Sequence, residues 1–148
     1  MKAALAKFSA DARASGDPLV LYGMSLGGHL AVVVAAQNPD LVDALVIEGA
    51  FTSHRDMAAA QKGALARAFV SEPYSAEDSI GAWDKALLII HSVDDEIVPF
   101  SMGQELFELA GEPKQLLEID GPHLAAIAAH GERIGEAIVT LVGGKVAA

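Results

Sequence analysis

The sequence predicts an α/β protein built on a parallel sheet of about four strands with flanking helices. Three observations lead there. Short runs of consecutive apolar residues, which suit strands buried on both faces, alternate with longer segments whose apolar residues recur at helical spacing. Of the 148 residues 52% are hydrophobic and only 5% aromatic, a balance that fits helices packed on a parallel sheet better than a half-wet antiparallel one. Gly, Pro, Asn and Asp cluster between the runs, where turns belong. One domain over residues 1–148 is expected, large enough to bury about 68% of its unfolded surface.

Taken in order, residues 2–15 place Leu5, Phe8 and Ala12 on one face of an amphipathic helix that stops at Gly16. Leu19 to Tyr22 is a first strand, entered after Asp17-Pro18, and Leu26 to Gln37 is a helix through Leu30, Val33 and Val34. Asn38-Pro39-Asp40 breaks it, and Ala44 to Ala50 is a second buried strand carrying Glu48 near its carboxyl end. A glutamate there is expected to be capped by nearby backbone or an arginine. Thr52 to Val70 reads as a polar connection into an alanine-rich helix capped by Ser53, with Ala58, Leu65 and Phe69 as its apolar stripe. Ser71 to Trp83 is loop with one short helix around Asp78, and Trp83 is expected to pack. Ala86 to Ser92 is the third strand, Pro99 and Ser101 start a helix that ends at Gly111, and Lys114 to Asp120 is a more polar strand suited to a sheet edge. The last helix shows Ile127, Ile134, Ile138 and Leu141 on one face, with Gly131 as a break and fraying at Gly143-Gly144.

The joint between the first strand and its helix is Gly23-Met24-Ser25-Leu26-Gly27-Gly28. Gly-x-Ser-x-Gly spacing suits a nucleophile elbow: the turn forces the serine into a sparsely allowed conformation, and Gly23 and Gly27 are expected to lack side chains because a Cβ would crowd it. Ser25 would stand above the strand ends, and the amide of Leu26, at the helix start, would face an oxyanion beside it. Parallel strands open their following loops on one edge, so the same edge receives Ser25, the acidic run Asp94-Asp95-Glu96 and His123. That is the chain order nucleophile, acid, histidine. His123 follows a strand at a turn and can lean over the sheet, whereas His91 lies within a strand and His29, His54 and His130 on helices or the variable loop. Asp95 is the chosen acid, with Asp94 and Glu96 close enough to compete. Met24 and Phe51, with Met57 and Phe69, are candidates to line an acyl pocket, packing on the core being the alternative.

Ten basic against twenty acidic residues leave a net charge of −10, a field that repels nucleic-acid phosphates and anionic membranes. The chain contains no cysteine, which excludes disulfide and thiolate chemistry and suits a reducing compartment. Lys7, Asp11 and Arg13 interrupt any apolar leader, and no apolar run approaches the ~20 residues of a membrane span, so a soluble, cytoplasmic protein is expected. The histidines show no metal-ligand spacing and no cofactor fingerprint is present, so neither metal nor cofactor is expected.

These motifs resemble those of the alpha/beta hydrolases. Gly23 to Gly28 looks like the elbow, His91-Ser92-Val93-Asp94-Asp95-Glu96-Ile97-Val98-Pro99 resembles the His-Gly-x-x-Asp-x-x-Val-Pro acid loop, and Gly121-Pro122-His123 the Gly-x-His turn. The resemblance aligns Asp95 with the acid. Glu48-Gly49-Ala50-Phe51-Thr52-Ser53 with Met57-Ala58 is similar to the branch holding depalmitoylating thioesterases and prolyl-oligopeptidase-like enzymes. Ser92 stands where glycine is usual, and Pro122 where a small residue is. The family also places strands before the elbow, one of which supplies a second oxyanion amide, and no segment before Leu19 matches them. The resemblance therefore implies a partial alpha/beta hydrolase fold, truncated at its N-terminal side. The expected function is that of a serine hydrolase of carboxylic esters or thioesters. The alternative is a noncatalytic remnant or interaction subunit. The uncovered edge of Leu19 to Tyr22 would pair with a second copy or a complementing chain. An exopeptidase would need a peptide-docking domain, for which no segment is seen.

Overall fold

Strands form where the chain is most continuously apolar, and in the computed structural model, which describes residues 2–143, they build one four-stranded sheet of order β1-β2-β3-β4. The elements are α1 (Lys2–Ser15), β1 (Val20–Met24), α2 (Leu26–Gln37), β2 (Ala44–Glu48), α3 (His54–Lys62), α4 (Ala76–Ile80), β3 (Ala86–Ser92), α5 (Phe100–Leu109), β4 (Lys114–Ile119) and α6 (Ala126–Gly143), with 3-10 turns at Pro39–Leu41 and Ala64–Phe69. All three strand pairings are parallel, with Leu21 opposite Leu45, Leu45 opposite Leu87 and Leu87 opposite Lys114.

Alternation along the strands divides the core. Leu45, Ile47, Leu87 and Ile89 face α1, α2, α4 and α5, where Val32, Ile80, Trp83 and Leu106 complete the larger cluster. Val46, Leu88, Ile90, Leu117 and Ile119 face the opposite side, which Ile134 and Ala137 of α6 cover. β2 and β3 are buried at every position, as strands between two helical layers must be. β4 is the expected polar edge, and β1, with β2 as its sole strand neighbour among the described residues, is the other.

Side-chain assignments in three helices expected from the sequence are corrected. Phe8 is 58% exposed, because α1 turns Leu5 and Ser9 inward. The expected helix over Thr52 to Val70 ends at Lys62 and gives way to a 3-10 turn, which leaves Leu65 and Phe69 84% and 89% exposed. Ile127 lies outside the buried stripe of α6, which kinks at His130 rather than Gly131 and turns Ala126 inward in its place. Ser53 caps α3 as expected, accepting from the Asp56 amide at 3.1 Å and donating to its carboxylate at 2.6 Å. Gly144, part of the expected fraying at the last helix's end, lies outside the described residues.

Glu48 ties β1 and α6 to β2. It is buried, its Oε2 accepts the Tyr22 hydroxyl at 2.6 Å and its Oε1 accepts the Ala126 amide at 3.2 Å. Ala126 opens α6, so the carboxylate sits at a helix N-terminus, where the peptide dipoles favour negative charge. The Tyr22 hydroxyl is held well above its usual titration range, by burial first and then by its bond to Glu48 and that residue's charge. Tyr22→Phe removes one donor from a buried carboxylate and is expected to lower the unfolding free energy by about 1–3 kcal/mol, read from urea denaturation.

Candidate active site

The site is assembled by loops that follow the strands. Ser25 joins β1 to α2 with φ 51° and ψ −121°, a left-handed conformation that a non-glycine residue adopts only when its surroundings impose it. They do so here. The Ser25 amide donates to the Glu48 carbonyl at 2.8 Å, and α2 packs so closely on β1 that a Cβ on Gly23 would lie 2.4 Å from the Gly27 carbonyl oxygen. The spatial constraint expected at Gly27 falls elsewhere: a Cβ at Gly27 would meet nothing within 4 Å, whereas one at Gly28 would lie 2.9 Å from Ala50 Cβ. Leu26 opens α2, so its amide is among the first-turn donors that have no acceptor within the helix.

His123 and Asp95 arrive from the loops after β4 and β3. His123 Nδ1 lies 2.6 Å from Asp95 Oδ2, and its Nε2 lies 3.1 Å from Ser25 Oγ. A carboxylate accepts only, so Nδ1 carries the proton and Nε2 presents its lone pair to the serine hydroxyl. The other Asp95 oxygen accepts the amides of Ile97 and Val98 at 2.9 and 2.8 Å, which fixes the carboxylate in a turn of its own loop. Asp94 and Glu96, the two acids passed over, would by default be solvated loop charges, and here they are not. Asp94 accepts the Gly121 amide at 3.3 Å and Glu96 the His123 amide at 3.1 Å, while Ser92 Oγ donates to the Gly121 carbonyl. All three acids therefore grip the histidine loop, and Asp95 is the one that reaches the imidazole.

Two residues that the motifs contain but to which they assigned no role in the site shape this arrangement. Gly49, with φ 54°, lies under the His123–Asp95 pair: a Cβ there would stand 3.0 Å from His123 Cε1 and 3.4 Å from Asp95 Oδ2. His91 is buried beneath Asp95, 3.6 Å from Oδ2, and its Nε2 donates to the Val98 carbonyl at 3.0 Å. Of the residues nominated to line a pocket, Met24 is exposed beside Ser25. Phe51 is buried against Val98 and Met102 with Met57 alongside, and Phe69 projects from the surface. His130 bonds Asp120. The remaining histidines, His29 and His54, gather with Glu72, their ligand-type atoms within 4.8 Å of one another. Among the described residues no helix is long and apolar enough to cross a membrane.

The model of the prolyl oligopeptidase family matches residues 1–118. This chain belongs to that alpha/beta hydrolase family. It is 36% identical to the protein bem46 of Schizosaccharomyces pombe over 105 residues, covering 68% of this chain and 35% of that one. It is 30% identical to lysophosphatidylserine lipase ABHD12 of Danio rerio over 121 residues, covering 70% and 32%. The chain thus spans about a third of the length of these two relatives. Among solved structures it is similar to the esterase domain of a Rhodothermus marinus protein, with a TM-score of 0.66 at 24% identity over 84% of this chain and 59% of that one. The acylaminoacyl peptidase of Pyrococcus horikoshii superposes with a TM-score of 0.67 at 17% identity, over 85% of this chain and 24% of that one.

Two outcomes test the site's physical basis. Gly49→Ala places a side chain at positive φ and against the His123 ring. It is expected to lower stability by about 1–2 kcal/mol, read by urea denaturation, and to shift the His123 Nδ1 proton resonance in NMR. Burial lowers the His91 pKa below its ordinary 6.5, against the smaller raising effects of the Val98 carbonyl and Asp95. The unfolded chain then binds a proton that the folded chain does not, so His91 contributes stability above about pH 6.5 that is lost as pH falls through its folded pKa. Unfolding midpoints measured from about pH 7.5 down to about pH 5 should fall, and should fall less steeply in His91→Gln. His29 is shifted the same way by burial, so some slope should remain.

Proposed function

We propose that this chain is a serine hydrolase of carboxylic esters or thioesters, with Ser25 as nucleophile, His123 as general base and acid, and Asp95 as the group that orients and stabilises the imidazolium. The observation that carries the reading is the hydrogen-bonded line Ser25 Oγ, His123 Nε2, His123 Nδ1, Asp95 Oδ2. In acylation Ser25 Oγ attacks the substrate carbonyl carbon while its proton passes to His123 Nε2, and the carbonyl π pair moves onto oxygen beside the Leu26 amide. Collapse of the tetrahedral species re-forms the carbonyl and expels the alcohol or thiol, which takes the proton from Nε2. Water then repeats the sequence on the acyl-serine, with His123 as base, and releases the carboxylic acid. Met24, exposed beside Ser25, is the candidate for acyl contact. A lysophosphatidylserine lipase among the relatives and an esterase domain among the structural neighbours support ester chemistry. Absence of cysteine favours a reducing, cytoplasmic setting.

A second reading rests on the edge of β1. With one strand neighbour among the described residues, the strand that leads into Ser25 is open to strand addition from a second copy or a complementing chain, and the chain would then act as an interaction subunit whose activity depends on that partner. Leu26 is one oxyanion donor; lack of a companion typically costs ~10² to 10³ in turnover, so the two readings differ in rate as well as in kind.

Hydrolysis of p-nitrophenyl acetate and butyrate should fall by at least ~10³ in Ser25→Ala and in His123→Ala, and a fluorophosphonate should label Ser25 alone. The oligomeric mass of the same sample separates the two readings. A folded chain that is as slow as both variants and takes no label would sink the hydrolase reading.

A further inference from the structure

Outside the site just described, the loop after β2 gathers residues from three places in the chain. His29 lies on α2 one turn beyond Ser25, His54 opens α3, and Glu72 lies in the segment after the 3-10 turn Ala64–Phe69. His29 is fully buried, and its Nδ1 is 3.2 Å from the Phe51 carbonyl oxygen, which accepts only. Nδ1 must therefore carry the proton, and Nε2 is left with a lone pair. That buried Nε2 has no hydrogen-bond partner among the described residues. Burial also lowers the His29 pKa, which favours the neutral ring. A neutral imidazole that donates one ring N–H to a backbone carbonyl and presents the other nitrogen bare is in the state of a metal ligand, the carbonyl fixing tautomer and ring plane. Phe51 stacks on the His29 ring at 4.5 Å, and two ligand-type groups lie close by: His54 packs edge-on against it with ring centroids 4.7 Å apart, and His54 Nδ1 lies 3.0 Å from Glu72 Oε1.

We propose that His29, His54 and Glu72 bind one divalent transition-metal ion of the zinc class, which clamps α3 and the segment around Glu72 onto the elbow helix. Two imidazole nitrogens and one carboxylate are a donor set for zinc rather than for magnesium or calcium, which prefer oxygen. The donor atoms lie within 4.8 Å of one another, and tetrahedral zinc with bonds of about 2.0–2.1 Å sets its donors about 3.3 Å apart, so the site must contract on binding. The parts are suited to it. His29 is fixed in the core, whereas the His54 side chain is 40% exposed and can turn a nitrogen toward the ion as Glu72 follows. Glu72 Oε2 is already oriented by the Arg55 amide at 2.9 Å. Three protein ligands leave a fourth position for water. The ion is structural: it shares no ligand with Ser25, His123 or Asp95, and the proposal stands whether or not those residues catalyse.

The test is a zinc titration of the full chain after chelator treatment, by calorimetry and by the visible absorption of Co²⁺ as a substitute probe. One equivalent should bind, raise the unfolding temperature where Mg²⁺ does not, and slow tryptic cleavage at Arg55, Lys62 and Arg67, which are exposed on the clamped segment. His54→Ala and Glu72→Gln should each weaken binding at least tenfold, and His29→Ala should abolish it, while His123→Ala should bind as the parent does. The His54 side chain is 40% exposed, and Glu72→Gln keeps the volume of a side chain that is only 5% exposed, so these two variants decide the matter even if His29→Ala fails to fold. Absence of zinc binding, affinity unchanged in His54→Ala and Glu72→Gln, or binding lost in His123→Ala overturns the proposal.

Discussion

The parallel ladder of the sheet continues one residue past its strands, and the rest of the structure depends on that continuation. Ser25 donates to Glu48, Gly49 to Ile90 and Val93 to Ile119, at 2.8, 2.9 and 2.9 Å, so β1, β2 and β3 each hand their first loop residue to a carbonyl at or near the end of the neighbouring strand. The elbow, the glycine under the His123–Asp95 pair and the start of the acid loop are thereby set at fixed spacing along one edge of the sheet. Backbone bonds at the end of a buried sheet are costly to break, because their donors and acceptors have no water to turn to. The nucleophile's strained φ is held by the same framework: a register slip on either side of β2 would release it.

The positions of the four strands, the elbow and the edge character of β4 were legible in the sequence, because apolar run length and turn residues encode burial directly. The convergence of Ser25, Asp95 and His123 followed from parallel topology, and the choice of Asp95 over its neighbours from motif spacing. What the sequence concealed depends on distances between elements. The close approach at Gly28 rather than Gly27 is set by how α2 rolls against Ala50, and nothing local to the elbow distinguishes the two glycines. Gly49 is an ordinary turn glycine until the His123 ring is seen above it. The roles of Asp94 and Glu96 as acceptors for Gly121 and His123 amides needed two loops placed together. His29, His54 and Glu72 carry no recognisable ligand spacing because the chain returns to His29 only after a strand, a helix and a 3-10 turn.

Charge placement in the site follows from the same economy of partners. Four acids cluster near the edge, Glu48, Asp94, Asp95 and Glu96, in a chain already strongly acidic, and no arginine or lysine offsets them through any bond described above. Their charges are met by backbone amides of Ala126, Gly121, Ile97, Val98 and His123, and by the Tyr22 hydroxyl. Amides bound in this way cannot titrate or drift, so the loops are positioned by the acids and the acids by the loops. Of the three acids in the loop after β3, Asp95 is the one whose second oxygen meets a side chain, and that oxygen is directed at His123.

The two edges of the sheet are built differently. β4 alternates Lys114, Gln115 and Glu118 with its buried residues, and charged side chains of this kind discourage another strand from pairing. β1 reads Val-Leu-Tyr-Gly-Met, without charge, proline or bulge, and it is half-buried where β2 beside it is wholly buried. Its sequence is that of an interior strand. Among the described residues β1 has β2 as its one strand neighbour, and an apolar, uncharged strand at a sheet edge is the arrangement that favours strand addition. The strand that positions Ser25 is therefore also the part of the fold whose environment a partner strand would change most. Covering it would bury Val20 and Tyr22 further and, through the Tyr22 to Glu48 bond, stiffen the carbonyl on which the Ser25 amide rests.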